Sequence, residues 1–115
     1  PGKMKKFIVI YHAAEAAAEK MTSASPEEMQ KGMESWMDWA KRCGSGLLDM
    51  GTPLGNGQKV TKGATAPSDK GVVGYSVLQA ESMEDVVRML KDHPHMDWTA
   101  GCEIEVHESL PTPGM

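Results

Sequence analysis

The chain has 115 residues and a mass of 12.5 kDa, enough for one domain and too little for two. Twelve Lys and Arg against 16 Asp and Glu leave a formal charge of −4, which argues against binding a phosphate backbone, a task for a basic surface. Hydrophobic residues make up 40% and charged residues 24%, the balance of a folded globular chain and not of a disordered one.

Two Cys cannot build a disulfide framework and fit a reducing compartment. Lys3, Lys5 and Lys6 ahead of Phe7 to Tyr11 have the outline of a signal peptide. The apolar run stops at His12, however, well short of the roughly 7–15 residues such a segment needs. No stretch approaches the roughly 20 apolar residues of a membrane span. A cytoplasmic protein is expected, with neither membrane nor nucleic acid as partner.

Phe7-Ile8-Val9-Ile10-Tyr11 is β-branched and aromatic and apolar on both faces, as in a central strand. Ala13 to Met21 is helix-prone but short. Ser25-Pro26-Glu27-Glu28 is a complete capping box, with Ser at the N-cap, Pro at the first helical position and Glu at the third. The helix it opens carries Met29, Met33, Trp36, Met37 and Ala40 on one face, which is expected to be core. Gly32, Trp36, Trp39 and Cys43 form a second stripe beside it, expected to pack against a loop or partner. Gly44 is a natural stop.

Leu47 to Met50 reads as a second strand. Gly51 to Gly71 reads as a long loop with a brief strand at Lys59-Val60, and loops of that length are uncommon unless functional or mobile. Val72 to Gln79 is a third strand. Ser82-Met83-Glu84-Asp85 caps a second helix with Met83, Val86, Val87 and Leu90 inward, and His93-Pro94 ends it. Cys102 to His107 alternates as a last strand, with Ile104 and Val106 on one face and Glu103, Glu105 and His107 on the other. The order is β-α-β-β-α-β, an α+β, ferredoxin-like arrangement with a four-stranded antiparallel sheet. Residues 4–110 form the domain and 111–115 a C-terminal tail. Two helices cover one sheet face, and a homodimer through the other face is expected to supply its cover.

The strand ending near Tyr11, the Ser-Pro-Glu-Glu-Met helix start and Leu48 to Gly51 leading into Pro53-Leu54 resemble the YCII-related proteins. So do Val73-Gly74-Tyr75-Ser76-Val77-Leu78, Glu81 to Asp85, His93-Pro94 and Ile104-Glu105-Val106. The resemblance covers roughly residues 5–108 through short motifs. It implies a dimeric α/β barrel, in which two ferredoxin-like protomers pack sheet to sheet. A few such proteins resemble small-molecule enzymes, among them a dehydrochlorinase of hydroxylated aromatics, thought to use a His–Asp pair. That dyad does not carry over. The first helix has Glu34, Ser35 or Trp36 where those members have His, and His93 precedes Pro94 where they have Asp. Ser68-Asp69-Lys70-Gly71 likewise replaces the Asp-Gly-Pro-Phe motif of a related subgroup.

His93-x-His95-x-Asp97 is the densest set of potential ligands; it reads either as polar groups of a pocket or as a helix stop with a polar turn anchored by Trp98. His12, at the end of a central strand, is either a general acid or base or a His bonded to backbone. Glu103, Glu105 and His107 either line or rim a cleft between sheets or blunt an exposed edge. Gly51 to Gly57 lacks the Lys-Ser/Thr of a phosphate loop. The leading expectation is a small-molecule binder or enzyme with a pocket between sheet and loops. Its candidate catalytic residues are His12, His93, His95 and Asp97, and Tyr75, Trp98, Glu103 and Glu105 are its candidate binding residues. No resident metal or cofactor is expected. The alternatives are a non-catalytic accessory or regulatory dimer module and a metal-binding protein centred on the H-x-H-x-D segment.

Overall fold

The computed structural model describes residues 3–14, 25–91, 93–97 and 102–113. Along them run β1 (Lys5–His12), α1 (Pro26–Cys43), a short 3-10 turn (Gly44–Gly46), β2 (Leu47–Asp49), β3 (Gln58–Thr61) and β4 (Ala64–Pro67). Then come β5 (Val72–Ala80), α2 (Met83–Lys91), a second 3-10 turn (Pro94–Asp97) and β6 (Glu103–Glu108). Ala13 and Ala14 have left the strand in non-helical backbone. The rest of the helix expected over Ala13 to Met21 lies outside the described residues, as does Trp98.

Strands β2, β5, β1 and β6 form one four-stranded sheet in that order, antiparallel at every pairing. The expected α+β class, with this sheet and two helices, is what the chain adopts, and it is compatible with a ferredoxin-like fold. Alternation sorts β1 into two faces. Phe7, Val9 and Tyr11 are buried, and Ile8, Ile10 and His12 on the other face are half-buried. Leu78 and Ala80 of β5 join the buried set, with Trp39 from α1 and Val86 and Leu90 from α2. One face of the sheet therefore carries the helices and the core; among the described residues no helix covers the other, open face.

The capping box at α1 forms as expected: Glu28 N–H donates to Ser25 Oγ at 3.1 Å and Ser25 N–H to Glu28 Oε1 at 3.4 Å. The helix is rotated from the expected setting. Trp39 is 1% exposed in the core with Trp36, Ala40 and Cys43 packed against it, while Met29, Met33 and Met37 are 56, 56 and 45% exposed. The indole explains the choice. It buries more apolar area than a thioether, and its N–H needs a partner, found in the Met89 carbonyl of α2 at 2.8 Å. On α2, likewise, only Val86 and Leu90 are buried, and Met83 and Val87 face outward.

The expected long loop after Gly51 also differs. It contains a hairpin, β3 paired to β4, with every strand residue exposed. Alternating Lys59, Val60 and Thr61 against Thr65 and Ala66 suffices for pairing, and Gly63 supplies the positive φ of the tight turn.

If Trp39 sets the register of α1, Trp39→Ala should cost about 3–5 kcal/mol. Met33→Ala, on the solvent side, should stay within about 0.5 kcal/mol. Urea denaturation of both variants reads the contrast directly, and equal losses would contradict the assigned helix face.

Candidate functional site

At its last residue, β1 turns a polar side chain to the open face. The pairing of β1 with β5 shifts there: Tyr11 lies opposite Gly74 and His12 opposite Val72, which leaves Val73 as an extra residue. Such bulges redirect side chains. Val73 packs against the core, and Val72 goes to the opposite side, into a cavity of about 780 Å³. Gly71, just before it, has φ of 69°, and its carbonyl accepts the Ala13 N–H at 2.8 Å. A Cβ on Gly71 would sit 2.5 Å from the Ala13 carbonyl oxygen, so only glycine permits this approach.

Ile10 and Val72 give the cavity an apolar floor, and His12, Lys70, Glu103 and Glu105 line its polar side. His12 and Glu103 are direct cross-strand partners, so their placement follows from register. Nδ1 of His12 lies 2.8 Å from the Lys70 carbonyl oxygen. A carbonyl only accepts, so Nδ1 carries a proton, and Nε2 is the nitrogen turned to the cavity wall. Nε2 lies 3.6 Å from Glu105 Oε1, which is itself 3.1 Å from His107 Nε2. Hydrogen bonding from the His107 imidazole, with His12 adding less, holds Glu105 below the usual carboxylate range. The result is a ring held through Nδ1 with its Nε2 beside a carboxylate at a cavity wall.

Three of the eight candidates named from the sequence therefore meet here: His12, Glu103 and Glu105. Tyr75 shares the open face, opposite Ile10, but its hydroxyl donates to Asp49 Oδ2 at 3.3 Å and it does not line the cavity. The backbone of Asp97 closes the short turn Pro94–Asp97. His93 and His95 are elsewhere, on the helix side of the sheet.

His93 requires the plainest correction. It is fully buried, with ring centroids 4.3 Å from Trp36, 4.3 Å from Trp39 and 4.8 Å from Tyr11. Its Nδ1 accepts the His95 backbone N–H at 3.0 Å, and its Nε2 has no hydrogen-bond partner among the described residues. T-shaped contacts with two indoles are the setting in which a ring N–H is partly compensated by a π face. Burial, then the neighbouring His95 and Arg42, push its pKa from 6.5 down to about 3. It is a neutral core residue, unsuited to proton transfer near neutrality. His95 is also buried, and its Nε2 donates to the His12 carbonyl at 2.8 Å. Burial lowers its pKa, against the opposing pull of the His12 and Glu103 carbonyls. His93 Nδ1 and His95 Nε2 are thus each engaged by backbone. Among the described residues no three His, Cys, Asp or Glu side chains converge as a metal site.

Sequence reasoning missed Lys70, Val72, Ala13 and Ala14, and gave His107 no role of its own. Lys70 acts through its carbonyl, which side-chain chemistry does not advertise. The neighbouring Gly71 was the available signal, because a glycine opening a strand marks a close backbone approach. No protein-family model matches the chain, and no curated protein matches it.

The buried imidazole has a consequence for acid stability. Its folded pKa lies below the unfolded value, so unfolding binds a proton. Stability is complete above pH 6.5 and falls as pH drops toward about 3. The slope is about 1.4 kcal/mol per pH unit for one proton, and His95 shifts in the same direction. Urea titrations stepped through this window should show that slope, flattened in His93→Phe. An unchanged slope in that variant would assign the acid sensitivity to other groups.

Proposed function

We propose that this protein binds a small molecule in the cavity at the end of β1 and moves a proton with His12. The observation that carries the reading is the His12 ring itself, with Nδ1 committed to the Lys70 carbonyl and Nε2 beside Glu105 at the cavity wall. When Nε2 takes a proton from a bound molecule, the imidazolium has two acceptors in place, the Lys70 carbonyl and the Glu105 carboxylate. Ile10 and Val72 suit a ligand with an apolar body.

The working unit in this proposal is a homodimer closed on the open sheet face, as in a dimeric α/β barrel. The half-buried apolar side chains Ile8 and Ile10 on the face away from the helices support it. Cross-strand pairs Ile8–Val77 and Ile10–Tyr75 supply an apolar centre for such an interface. The resemblance to YCII-related proteins supports the same architecture. A second reading, a non-catalytic accessory or regulatory dimer, is favoured by the burial of His93 where the active relatives have an acid.

Thermal melting against a panel of small aromatic and acidic metabolites tests the first reading. A ligand should raise the melting temperature of the wild type and not of His12→Ala, whose unliganded fold should change by about 1 kcal/mol or less. For a ligand that is turned over, loss of the proton-transfer group should slow the reaction by about 10²–10⁴-fold. Equal stabilisation of both proteins would remove His12 from the site. Sedimentation should give twice 12.5 kDa at micromolar concentration; the protomer mass would refute the dimer.

A further inference from the structure

Beneath the cavity, on the far side of the sheet, a single imidazole meets the backbone of two cavity residues. His12 and Glu103 lie directly opposite each other on β1 and β6, and their side chains face the cavity. His95 reaches them from the helix side: its Nε2 donates to the His12 carbonyl at 2.8 Å, and the carbonyls of both residues favour its charged form. We infer that His95 is a positioning residue, which acts through the His12 backbone to hold the His12 ring with Nδ1 bonded to the Lys70 carbonyl and Nε2 toward the cavity. This rests on the proposed role of His12 and adds to it the group that fixes its geometry.

The His12 ring can keep its bond to Lys70 only if the end of β1 stays put. Beyond its strand pairings with Val72 and Glu103, three bonds hold that end: the His12 carbonyl to His95, the His12 ring to Lys70, and the Ala13 N–H to the Gly71 carbonyl. Two of them run to the Lys70–Gly71 segment, which is otherwise an exposed approach to β5 with Lys70 itself well exposed. The third runs inward to a side chain that is 4% exposed. Of the three, only His95 is tied to rigid core. Its backbone N–H is bound by His93 Nδ1, its ring lies 5.3 Å from Tyr11, and Pro94 restricts the residue before it.

A linked row of groups results. Trp36 and Trp39 enclose His93, His93 holds the His95 backbone, His95 holds the His12 backbone, and His12 faces Glu105. A buried side chain whose bond points at the backbone of a site residue, and not at its ring, tunes position and not charge. Among the described residues, Tyr11, His93, the His12 and Glu103 carbonyls and the His12 ring face His95.

Nitrogen-15 NMR of the histidine rings tests the assignment, with His12→Gln identifying the His12 signals. In the wild type, His12 should show one tautomer, protonated at Nδ1, and His95 should show a slowly exchanging Nε2 proton. His95→Leu keeps bulk and removes the donor, so the His12 ring nitrogens should move toward averaged values. His95→Gln keeps an N–H for the carbonyl and should restore the single tautomer. A folded His95→Leu protein with wild-type His12 ring signals would overturn the inference. Absence of the slowly exchanging His95 proton would overturn it too, and that measurement needs no variant to fold. The readout requires no ligand. Failure of every metabolite with tautomer coupling intact refutes the proposed function alone, whereas ligand binding without the coupling refutes this inference alone.

Discussion

Tyr11 and His12 are consecutive residues of a central strand, and that adjacency governs the molecule. Strand alternation sends the phenol into the core and the imidazole to the open face, so core and cavity share one stretch of backbone. The core side is tightly specified. Ser76 donates to the Met50 carbonyl at 2.7 Å, so the Tyr11 hydroxyl must be the donor in its 2.8 Å bond to Ser76. That two-step chain ties β1, β5 and the residue after β2. Burial pushes the Tyr11 phenol well above its ordinary range, so it remains a neutral donor at any physiological pH.

The aromatic core around Tyr11 has an unusual member. A fully buried histidine with an unpartnered ring nitrogen costs stability, of the order of 1–3 kcal/mol, and an apolar ring in its place would avoid that cost. What His93 provides in exchange is a backbone acceptor for His95 through Nδ1, which phenylalanine could not offer. The fold thus accepts an acid-labile group at its centre while gaining a fixed turn beneath the cavity. The aromatic neighbours Trp36 and Trp39 meet the same ring from α1, which is why the helix presents its indoles inward.

Much of this was legible in the residues. The capping box of α1, the Ser82 cap on Asp85 N–H, the strand alternation and the faces of β6 follow from local chemistry that tertiary contacts leave unchanged. His12, Glu103 and Glu105 were found because alternation on two paired strands puts them on one side. The rotation of α1 was not legible, because Met29, Met33 and Met37 and the Trp stripe are both apolar at helical spacing. Only the partners waiting on α2 and in the turn after it, the Met89 carbonyl and His93, distinguish them. His93 misled for a related reason. Its residue type promised a titrating group, whereas its surroundings, assembled from β1 and α1, hold it neutral. Lys70 stayed hidden because it contributes an oxygen that every residue possesses.

The outward stripe of Met29, Met33 and Met37 bears on how the protein ages under oxidants. Peroxide adds an oxygen to an accessible thioether and turns an apolar, flexible side chain into a polar one. On the exposed side of α1 this polarity arrives where water already is, so the sulfoxides displace no packing. Met89 differs, since it packs against the core. Its side chain lies beside Gly46, at a distance that leaves no room even for a glycine's missing methyl. Three surface sulfurs thus stand in the path of an oxidant before it reaches the one whose oxidation would loosen the junction of α2 with the β2 approach, an ordering that mass spectrometry of partially oxidised protein would read residue by residue.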